Sequence, residues 1–232
     1  MDKVDKLFYI NLARRPDRNA HFLAECSKAN IPSEKIERVE AVDGSSLPDD
    51  FQYKELFQNA DYRNAHYAKN IFGNQLSHFR ILQEMVERNY NYIIICQDDV
   101  IFREGFTEHL THVMDSIPSN AEIVNIGMHK YAFLAHFEAY DFNNTDLLGV
   151  EVNPHICALN SSVNPCSLAY IVTLQGAKNM IEYCKTTGFL RATDHNYNGY
   201  LISKNIFYGS IPVLCTGNPS LGSDIFLVSD MF

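Results

Sequence analysis

The chain has 232 residues, of which 46% are hydrophobic, so it is long enough to bury one α/β domain or two small ones. Its formal net charge of −9, from 19 basic and 28 acidic residues, argues against the basic face that a nucleic-acid-binding surface needs to neutralise phosphates. A single phosphorylated ligand stays compatible with this charge, because a few arginines and a metal can neutralise it locally.

The six cysteines show no CxxC pairing and mostly fall within apolar segments, which predicts reduced core residues in a cytosol-like compartment. The N-terminal MDKVDKLFYINL has too short an apolar stretch for a signal peptide, and no later segment has the length of a transmembrane helix. We therefore expect a cytoplasmic protein, or one peripheral to a membrane, without a transmembrane segment.

The first predicted elements are a strand over residues 6–12 and a helix that begins near residue 16 and ends at about residue 28. Arg14, Arg15 and Arg18 lie at the junction, beside a helix N-terminus whose free N–H groups already favour anions. This corner is predicted to bind a phosphate or a nucleotide. The alternative is a set of solvated arginines, one of them paired with the neighbouring aspartate.

The next predicted strand, residues 36–42, ends at Asp43 and a glycine. A carboxylate followed by glycine at a strand end is a common way to bind ribose hydroxyls, although the same pair is an ordinary turn signal. Residues 45–71 lack clear periodicity and are predicted to form a loop region that covers the ligand. Tyr53, Tyr62 and Tyr67 are candidate stacking surfaces there, and a plain surface excursion is the alternative.

The most informative stretch is YIIICQDDVIF, residues 92–102. The apolar run at 93–96 is too short for a membrane span and too β-branched for an easy helix, so it predicts a strand buried on both faces. Asp98 and Asp99 follow Gln97 at the end of this strand, where two adjacent carboxylates repel each other and indicate a bound cation. The alternative is a solvated acidic turn.

Helical spacing predicts one helix from residue 73 to near residue 89 and another over residues 106–117. A strand at 122–127 then completes a β-α-β-α-β-α-β series. Right-handed crossovers would make the sheet mostly parallel, which gives an α/β, Rossmann-like fold. The strand ends at Leu12, Asp43, Asp99 and Gly127 should then lie on one edge of the sheet, where such folds bind ligands.

The second half of the chain is less regular. Residues 128–165 are polar and aromatic, and we expect loops and short strands there. A strand at 167–173 and a helix over about 174–184 are predicted to follow, and the tail after residues 206–208 is predicted to be a turn-rich return. Asp194 stands where it can cap a short helix. Because there is no internal repeat and no linker, we expect a single domain.

These segments resemble one family from about residue 7 to residue 225, in the family's order. The motifs are FYINLARRPDR, ERVEAVDG, GNQLSHFRIL, YIIICQDDVIF, SLAYIVTLQGAKNMI, the lone Asp194 in ATDHN and the closing SDI. Their pattern is similar to glycosyltransferase family 25, which includes lipopolysaccharide-type β-galactosyltransferases and collagen galactosyltransferase domains. The resemblance implies a single-domain GT-A fold over residues 1–232, with a nucleotide-sugar half to about residue 127 and an acceptor half beyond it. It further implies a UDP-sugar donor, most often UDP-galactose, Mn²⁺ (or Mg²⁺), a glycan or glycoprotein acceptor and inversion at the anomeric carbon.

The resemblance also implies roles for individual residues. Asp99 would hold the metal directly, Asp98 would ligate it through water or meet the ribose, and Asp224 would close the metal site. Asp194 is the implied base or acceptor contact, weighed against the helix-capping role. The residues implied for the nucleotide-sugar are Asn11, Arg14, Arg15, Asp43, Gln97 and Asp98. His195 and His129 are rival metal ligands that spacing alone does not exclude.

Gln97 departs from the family, which commonly has glutamate at this position. Glutamine keeps the shape and can bind a hydroxyl, but it brings no charge, which bears on metal affinity and on the donor sugar. One alternative hypothesis is therefore a catalytically weak or inactive sugar-binding module on the same fold. Another is a metal-dependent phosphohydrolase, although no nucleophile or second metal cluster is evident in the sequence.

Overall fold

The computed structural model describes residues 1–58, 65–132, 136–143, 148–162, 166–189 and 192–224. Its helices are α1 (Pro16–Lys28), α2 (Ala65–Glu87), α3 (Phe106–Ser116), α4 (Leu174–Thr187) and α5 (Thr193–Ser203). Its strands are β1 (Lys6–Asn11), β2 (Ile36–Glu40), β3 (Tyr92–Gln97), β4 (Val100–Phe102), β5 (Ile123–Asn125), β6 (His129–Ala132), β7 (His136–Ala139), β8 (Gly149–Asn153), β9 (Ile156–Leu159), β10 (Ala169–Thr173), β11 (Tyr208–Ser210) and β12 (Cys215–Gly217). The fold is α/β, as the sequence predicts.

One eight-stranded sheet, in the order β2-β1-β3-β10-β5-β11-β9-β8, forms the centre of the molecule. β1 runs parallel to β2 and β3, and β5 runs parallel to β11. β10 and β9 are antiparallel to their neighbours, so the sheet is mixed. The predicted β-α-β-α-β-α-β series did not include β10, which comes from the second half of the chain and lies between β3 and β5.

β3 is the buried strand that the sequence predicts. Its residues at 93–96 are fully buried, because β1 and β10 flank it and helices cover the sheet. The strand ends at Gln97, and the chain turns through Asp98 and Asp99 before β4, which pairs with β12 in a separate two-stranded sheet. The turn leaves both carboxylates at the edge of the main sheet.

The helix α1 has the predicted bounds and packs on the sheet through Phe22, whose ring stacks on Tyr9 at a centroid distance of 4.1 Å. The helix α2 begins at Ala65, earlier than predicted, so the end of the expected loop at 45–71 is helical. Of the three tyrosines expected to cover a ligand, Tyr53 packs edge-on against Phe79 instead. Tyr62 lies outside the described residues, and of Tyr67 only the helical backbone is described.

The second half of the chain contains the short strands that were expected, with β6 and β7 forming a hairpin and β8 pairing with β9. β12 lies within the tail that was expected to be rich in turns. All six cysteines are free thiols and five of them are buried. Among the described residues, no helix is both long and apolar enough to cross a membrane.

Candidate functional site

A polar cleft lies at the edge of the sheet where β1 and β3 end, and it encloses about 620 Å³ together with the solvent at its mouth. Residues that the sequence singles out line it, namely Arg14, Arg18, Asp43, Gln97, Asp98, Asp99 and Asp224. Strand ends at Leu12, Asp43 and Asp99 therefore meet at one edge, as the parallel arrangement of β2, β1 and β3 requires.

Asp98 is almost completely buried beneath the cleft. Its Oδ2 accepts a 2.6 Å hydrogen bond from Nδ2 of Asn11, which is itself held by a 3.0 Å hydrogen bond from Nε of Arg38. Burial raises the pKa of Asp98 to about 6, although the charge of Arg18 and the hydrogen bond from Asn11 oppose this shift. Asn11 thus acts on the site by holding the carboxylate of Asp98.

Arg18 lies in the first turn of α1 and is the cation at the centre of the cleft. Its Nη1 is 2.9 Å from Oδ1 of Asp98, and its Nη2 is 2.5 Å from Oδ2 of Asp99. The predicted phosphate corner therefore has one arginine turned inward onto the carboxylate pair. The turn after β3 is buried and paired, so the alternative of a solvated acidic turn is wrong.

Asp224 approaches the same arginines from the other half of the chain. Its Oδ1 accepts a 2.5 Å hydrogen bond from Nη1 of Arg14, and its Oδ2 accepts one from Nη1 of Arg15. Oδ2 also lies 3.7 Å from Nη1 of Arg18. Arg15 additionally forms an ion pair with Asp17 on the solvent side, as the sequence allows.

Asp43 forms the far wall of the cleft, at the end of the segment that follows β2. Its Oδ1 accepts hydrogen bonds from the backbone N–H and the hydroxyl group of Ser45, and its Oδ2 accepts a 2.9 Å bond from Nε of Arg14. Burial pushes the pKa of Asp43 upward, but the hydrogen bonds from Ser45 and Arg14 lower it overall. Asp43 is thus both a turn residue and a charged wall of the cleft.

Two glycines bring α2 against this wall. A Cβ atom on Gly44 would lie 2.0 Å from the carbonyl oxygen of Lys69, and one on Gly73 would lie 2.3 Å from that of Val42. Only glycine permits such backbone contact. The contact places three side chains of α2 in the cleft, which are Asn70, Asn74 and Ser77.

The sequence analysis did not assign these α2 residues to the site. Their spacing of four and then three residues puts them on one face of a helix, which is the signal that could have revealed them. The prediction of a loop up to residue 71 hid that signal, because it excluded Asn70 from the helix.

Asp194 lies in the first turn of α5, is partly exposed and is not among the described residues that line the cleft. The expected capping role is wrong, because the N-cap position is Ala192. The preceding residue, Thr193, donates a 2.7 Å hydrogen bond from its hydroxyl group to Oδ1 of Asn74 in the cleft wall. The start of α5 is thereby joined to the site, while His195 is exposed to solvent.

His129, the other rival ligand, begins β6 and packs against Gly217 of β12, where a Cβ atom would lie 1.8 Å from its ring. Burial lowers the pKa of His129, and the negative charge of Asp99 opposes this shift. His129 is therefore near enough to feel the carboxylate pair, and Gly217 leaves room for its ring.

The ligand atoms of the cleft suit a divalent cation in kind, because Asp98 and Asp99 offer the oxygens that Mn²⁺ and Mg²⁺ prefer. Asp99 Oδ1 is buried and has no hydrogen-bond partner within the described ranges. No three His, Cys, Asp or Glu side chains in the described part of the chain are grouped to hold a metal by themselves. Mg²⁺ is commonly held by one or two carboxylates together with substrate phosphates. The residues thus fit a cation that arrives with a phosphorylated ligand.

Comparison with known proteins adds to this geometry. The family model described as "Glycosyltransferase family 25 (LPS biosynthesis protein)" matches residues 4–197. Procollagen galactosyltransferase 2 of Homo sapiens is 25% identical over 186 residues, which make up 76% of this chain and 27% of that protein. A Bos taurus protein named "Probable inactive glycosyltransferase 25 family member 3" is 28% identical over 185 residues, or 76% of this chain and 28% of that protein. The chain spans less than a third of the length of these curated relatives.

Proposed function

The chain belongs to glycosyltransferase family 25, and we propose that it transfers a sugar, with galactose as the first candidate, from a UDP-sugar to a hydroxyl group of a glycan or glycoprotein. The observation that carries the proposal is the cleft, in which arginines of the β1–α1 junction face the Asp98–Asp99 pair at the edge of the sheet. Ligands of open α/β sheets bind at this place. A GT-A fold and a cytoplasmic location are parts of the same proposal.

In the proposed complex, Arg14 and Arg15 bind the diphosphate, because guanidinium groups match phosphate oxygens in shape and charge. Asp43 lines the same cleft beside Arg14, where a carboxylate can accept hydrogen bonds from ribose hydroxyls. Gln97 also lines the cleft and can bind a ribose or sugar hydroxyl through its amide group. The Asp98–Asp99 pair is then available to hold a cation that would stabilise the negative charge of the departing UDP.

Asp99 is the proposed direct ligand of Mn²⁺ or Mg²⁺ through its unpartnered Oδ1, and Asp98 is the second. A bound cation of this kind would stabilise the negative charge that develops on the departing UDP. Asn11 and Arg18 hold Asp98 in place for this role, because both contact its carboxylate. The metal assignment follows from the family and from the oxygen donors.

Asp194 is the proposed base. The reaction requires a group that removes the proton of the acceptor hydroxyl on the side of the sugar opposite UDP, which inverts the anomeric centre. The bond from Thr193 to Asn74 supports this assignment, since it holds the start of α5 against the cleft wall.

The test is UDP release from a panel of UDP-sugars with and without an acceptor and Mn²⁺, together with thermal melts. We expect one UDP-sugar to raise the melting temperature and to be turned over only when an acceptor is present. Asp99→Asn should abolish metal-dependent turnover. Asp115→Asn, the same change at an exposed surface carboxylate, should not. Unchanged Mn²⁺-dependent turnover in Asp99→Asn would sink the metal assignment.

A second candidate is a sugar-binding module without turnover. It is favoured by Gln97 in place of the family's glutamate and by the word "inactive" in the name of the bovine relative. The same panel separates the two, because a binding module raises its melting temperature with a UDP-sugar yet releases no UDP. Hydrolysis of phosphate esters without any acceptor would instead point to a phosphohydrolase.

A further inference from the structure

Residues 218–224, here called the strap, end with Asp224 seated on the arginines of the β1–α1 junction. We propose that the Asp224 carboxylate occupies, in the chain without donor, the position of a donor diphosphate, and that the diphosphate displaces it. The inference rests on the proposed function for the identity of the diphosphate. It gives Asp224 a role different from the metal ligand that the sequence implied.

The contacts of Asp224 are those that a phosphate group would make. Each of its two oxygens accepts a hydrogen bond from a different guanidinium group, that of Arg14 or that of Arg15, and Arg18 lies 3.7 Å away. Arginine binds carboxylates and phosphates with the same planar array of donors. A carboxylate held by three arginines therefore marks a site that also suits a phosphorylated ligand.

Charge favours movement of the strap when a diphosphate binds. The guanidinium groups of Arg14, Arg15 and Arg18 form ion pairs with the carboxylates of Asp43, Asp98, Asp99 and Asp224, so these carboxylates outnumber the arginines before any ligand binds. A diphosphate would add more negative charge in a partly buried place, where like charges repel strongly. When Asp224 withdraws, the arginines regain their donors and the excess is removed.

The inner arginine is also incompletely satisfied. The side chain of Arg18 is only 9% exposed, and its Nε has no hydrogen-bond partner among the residues that the structure describes. A buried donor without an acceptor is uncommon in folded proteins and indicates a site that a ligand completes. Asp224 supplies negative charge to the cleft but does not accept a hydrogen bond from Nε of Arg18.

The strap is held mostly through polar contacts that a ligand can replace. Arg15 and Arg18 donate hydrogen bonds to the carbonyl oxygens of Leu221 and Gly222, and the N–H of Asn218 donates to the carbonyl oxygen of Asp99. Its other residues are partly or fully exposed, and none of the strap belongs to the hydrophobic core. Few buried apolar contacts mean a low free energy of local opening.

The first test is calorimetric binding of inorganic pyrophosphate and of UDP, each with EDTA and with Mn²⁺, to wild type, Asp224→Asn and Asp17→Asn. If the carboxylate competes with the diphosphate, Asp224→Asn should bind both probes about tenfold more tightly, because the arginines no longer have to release a charged carboxylate before the probe binds. Asp17 contacts Arg15 from the solvent side, so Asp17→Asn controls for the loss of one nearby charge and should change affinity by less than about twofold. Weaker or unchanged binding in Asp224→Asn would overturn the proposal.

The second test uses the wild-type chain, so it decides the matter even if Asp224→Asn does not fold. Hydrogen exchange of the strap amides should become faster when pyrophosphate binds, since the Asn218 N–H loses its partner as the strap leaves. Slower or unchanged exchange, or no pyrophosphate binding, contradicts displacement. Neither test involves sugar transfer. If Asp224→Asn binds the probes more tightly and exchange becomes faster but no sugar is transferred, displacement is supported and the proposed function is wrong. If sugar is transferred but Asp224→Asn binds the probes more weakly, the proposed function is supported and displacement is wrong.

Discussion

Nη1 of Arg18 lies 2.9 Å from Oδ1 of Asp98, and both side chains are more than nine-tenths buried. Asp99, the next residue, pairs with the same guanidinium group through Nη2. Asp98 is buried and Asp99 is half-buried, and these adjacent carboxylates are stabilised because Arg18 pairs with both and Asn11 donates to Asp98. The stability of the carboxylate turn therefore depends on Arg18.

We predict that Arg18→Gln lowers the free energy of unfolding by about 3–5 kcal/mol, because removing one partner of a buried ion pair leaves the other charges uncompensated. Urea unfolding at neutral pH measures this. Arg88→Gln is the matched control, since Arg88 forms exposed ion pairs with Glu37 and Glu84, and it should cost no more than about 1 kcal/mol. Equal, small losses in the two variants would show that the Asp98–Asp99 pair does not need Arg18.

Gln97→Glu should lower the Mn²⁺ concentration needed for half-maximal activity, because a carboxylate adds charge to the edge of the cleft that the amide lacks. The measurement is a Mn²⁺ titration of UDP release. Gln175→Glu makes the same change at an exposed position on α4, whose N-terminal end lies at the opposite edge of the sheet, and should leave the titration unchanged. If Gln97→Glu also has no effect, the amide of Gln97 contacts ribose or sugar instead of supporting the metal.

Asp194→Asn separates catalysis from structure. Because the N-cap of α5 is Ala192, the substitution keeps the cap and replaces a first-turn carboxylate, whose charge contributes about 0.3–1 kcal/mol of stability. If Asp194 is the base, turnover should fall on the order of a hundredfold or more while UDP-sugar binding stays nearly unchanged.

The neighbouring His195→Gln is the control for Asp194, since His195 is exposed on the same turn of α5 and is a rival candidate. It should retain near-normal turnover. Near-normal turnover in Asp194→Asn would remove Asp194 from the mechanism, and a large loss in His195→Gln would transfer the role to that residue.

His78 gives a prediction about pH. Complete burial lowers the pKa of His78 to about 3, and its Nδ1 lies 2.7 Å from the hydroxyl oxygen of Tyr170. Below about pH 6.5 the unfolded chain takes up a proton at this residue while the folded chain does not, so stability falls as the pH falls from 6.5 toward 3. The contribution is roughly 1.4 kcal/mol per pH unit.

Urea unfolding of wild type and His78→Gln at about pH 7 and about pH 5 measures this effect. Wild type should lose about 2 kcal/mol more than the variant over that interval, because glutamine does not titrate. His195→Gln, which changes an exposed histidine, should follow wild type. Parallel pH profiles for wild type and His78→Gln would mean that the folded chain can protonate this residue.

The sequence predicted much of the fold because local patterns determine its elements. The apolar run at residues 93–96 predicted β3, and the proline at residue 16 predicted the start of α1, both with nearly the observed bounds. The position of β10 between β3 and β5 was not predictable, because strand order depends on packing between residues far apart in the chain. The early start of α2 was missed since Ala65 to Ile71 show no clear apolar period.

The sequence predicted which residues belong to the site better than it predicted which of them pair with one another. Arg14, Asp43, Asp98 and Asp99 do line one cleft. Their pairing was not evident, because Asp224 joins Arg14 across 210 residues of sequence and no local signal encodes such a contact. Arg18 shows the same limit, since its position beside the other arginines indicated a phosphate contact and its side chain points to carboxylates.

The close approach of Gly44 and Gly73 to main-chain atoms has a consequence for redesign of the cleft. A side chain at either position would clash with the backbone that packs against it, so these two positions cannot be used to adjust this wall. Under the proposed function, a library aimed at another donor sugar should hold both glycines fixed and vary Asn70, Asn74 and Gln97, which are among the polar residues that line the cleft. Retargeting would then proceed by exchange of hydrogen-bonding groups in a cavity of constant width.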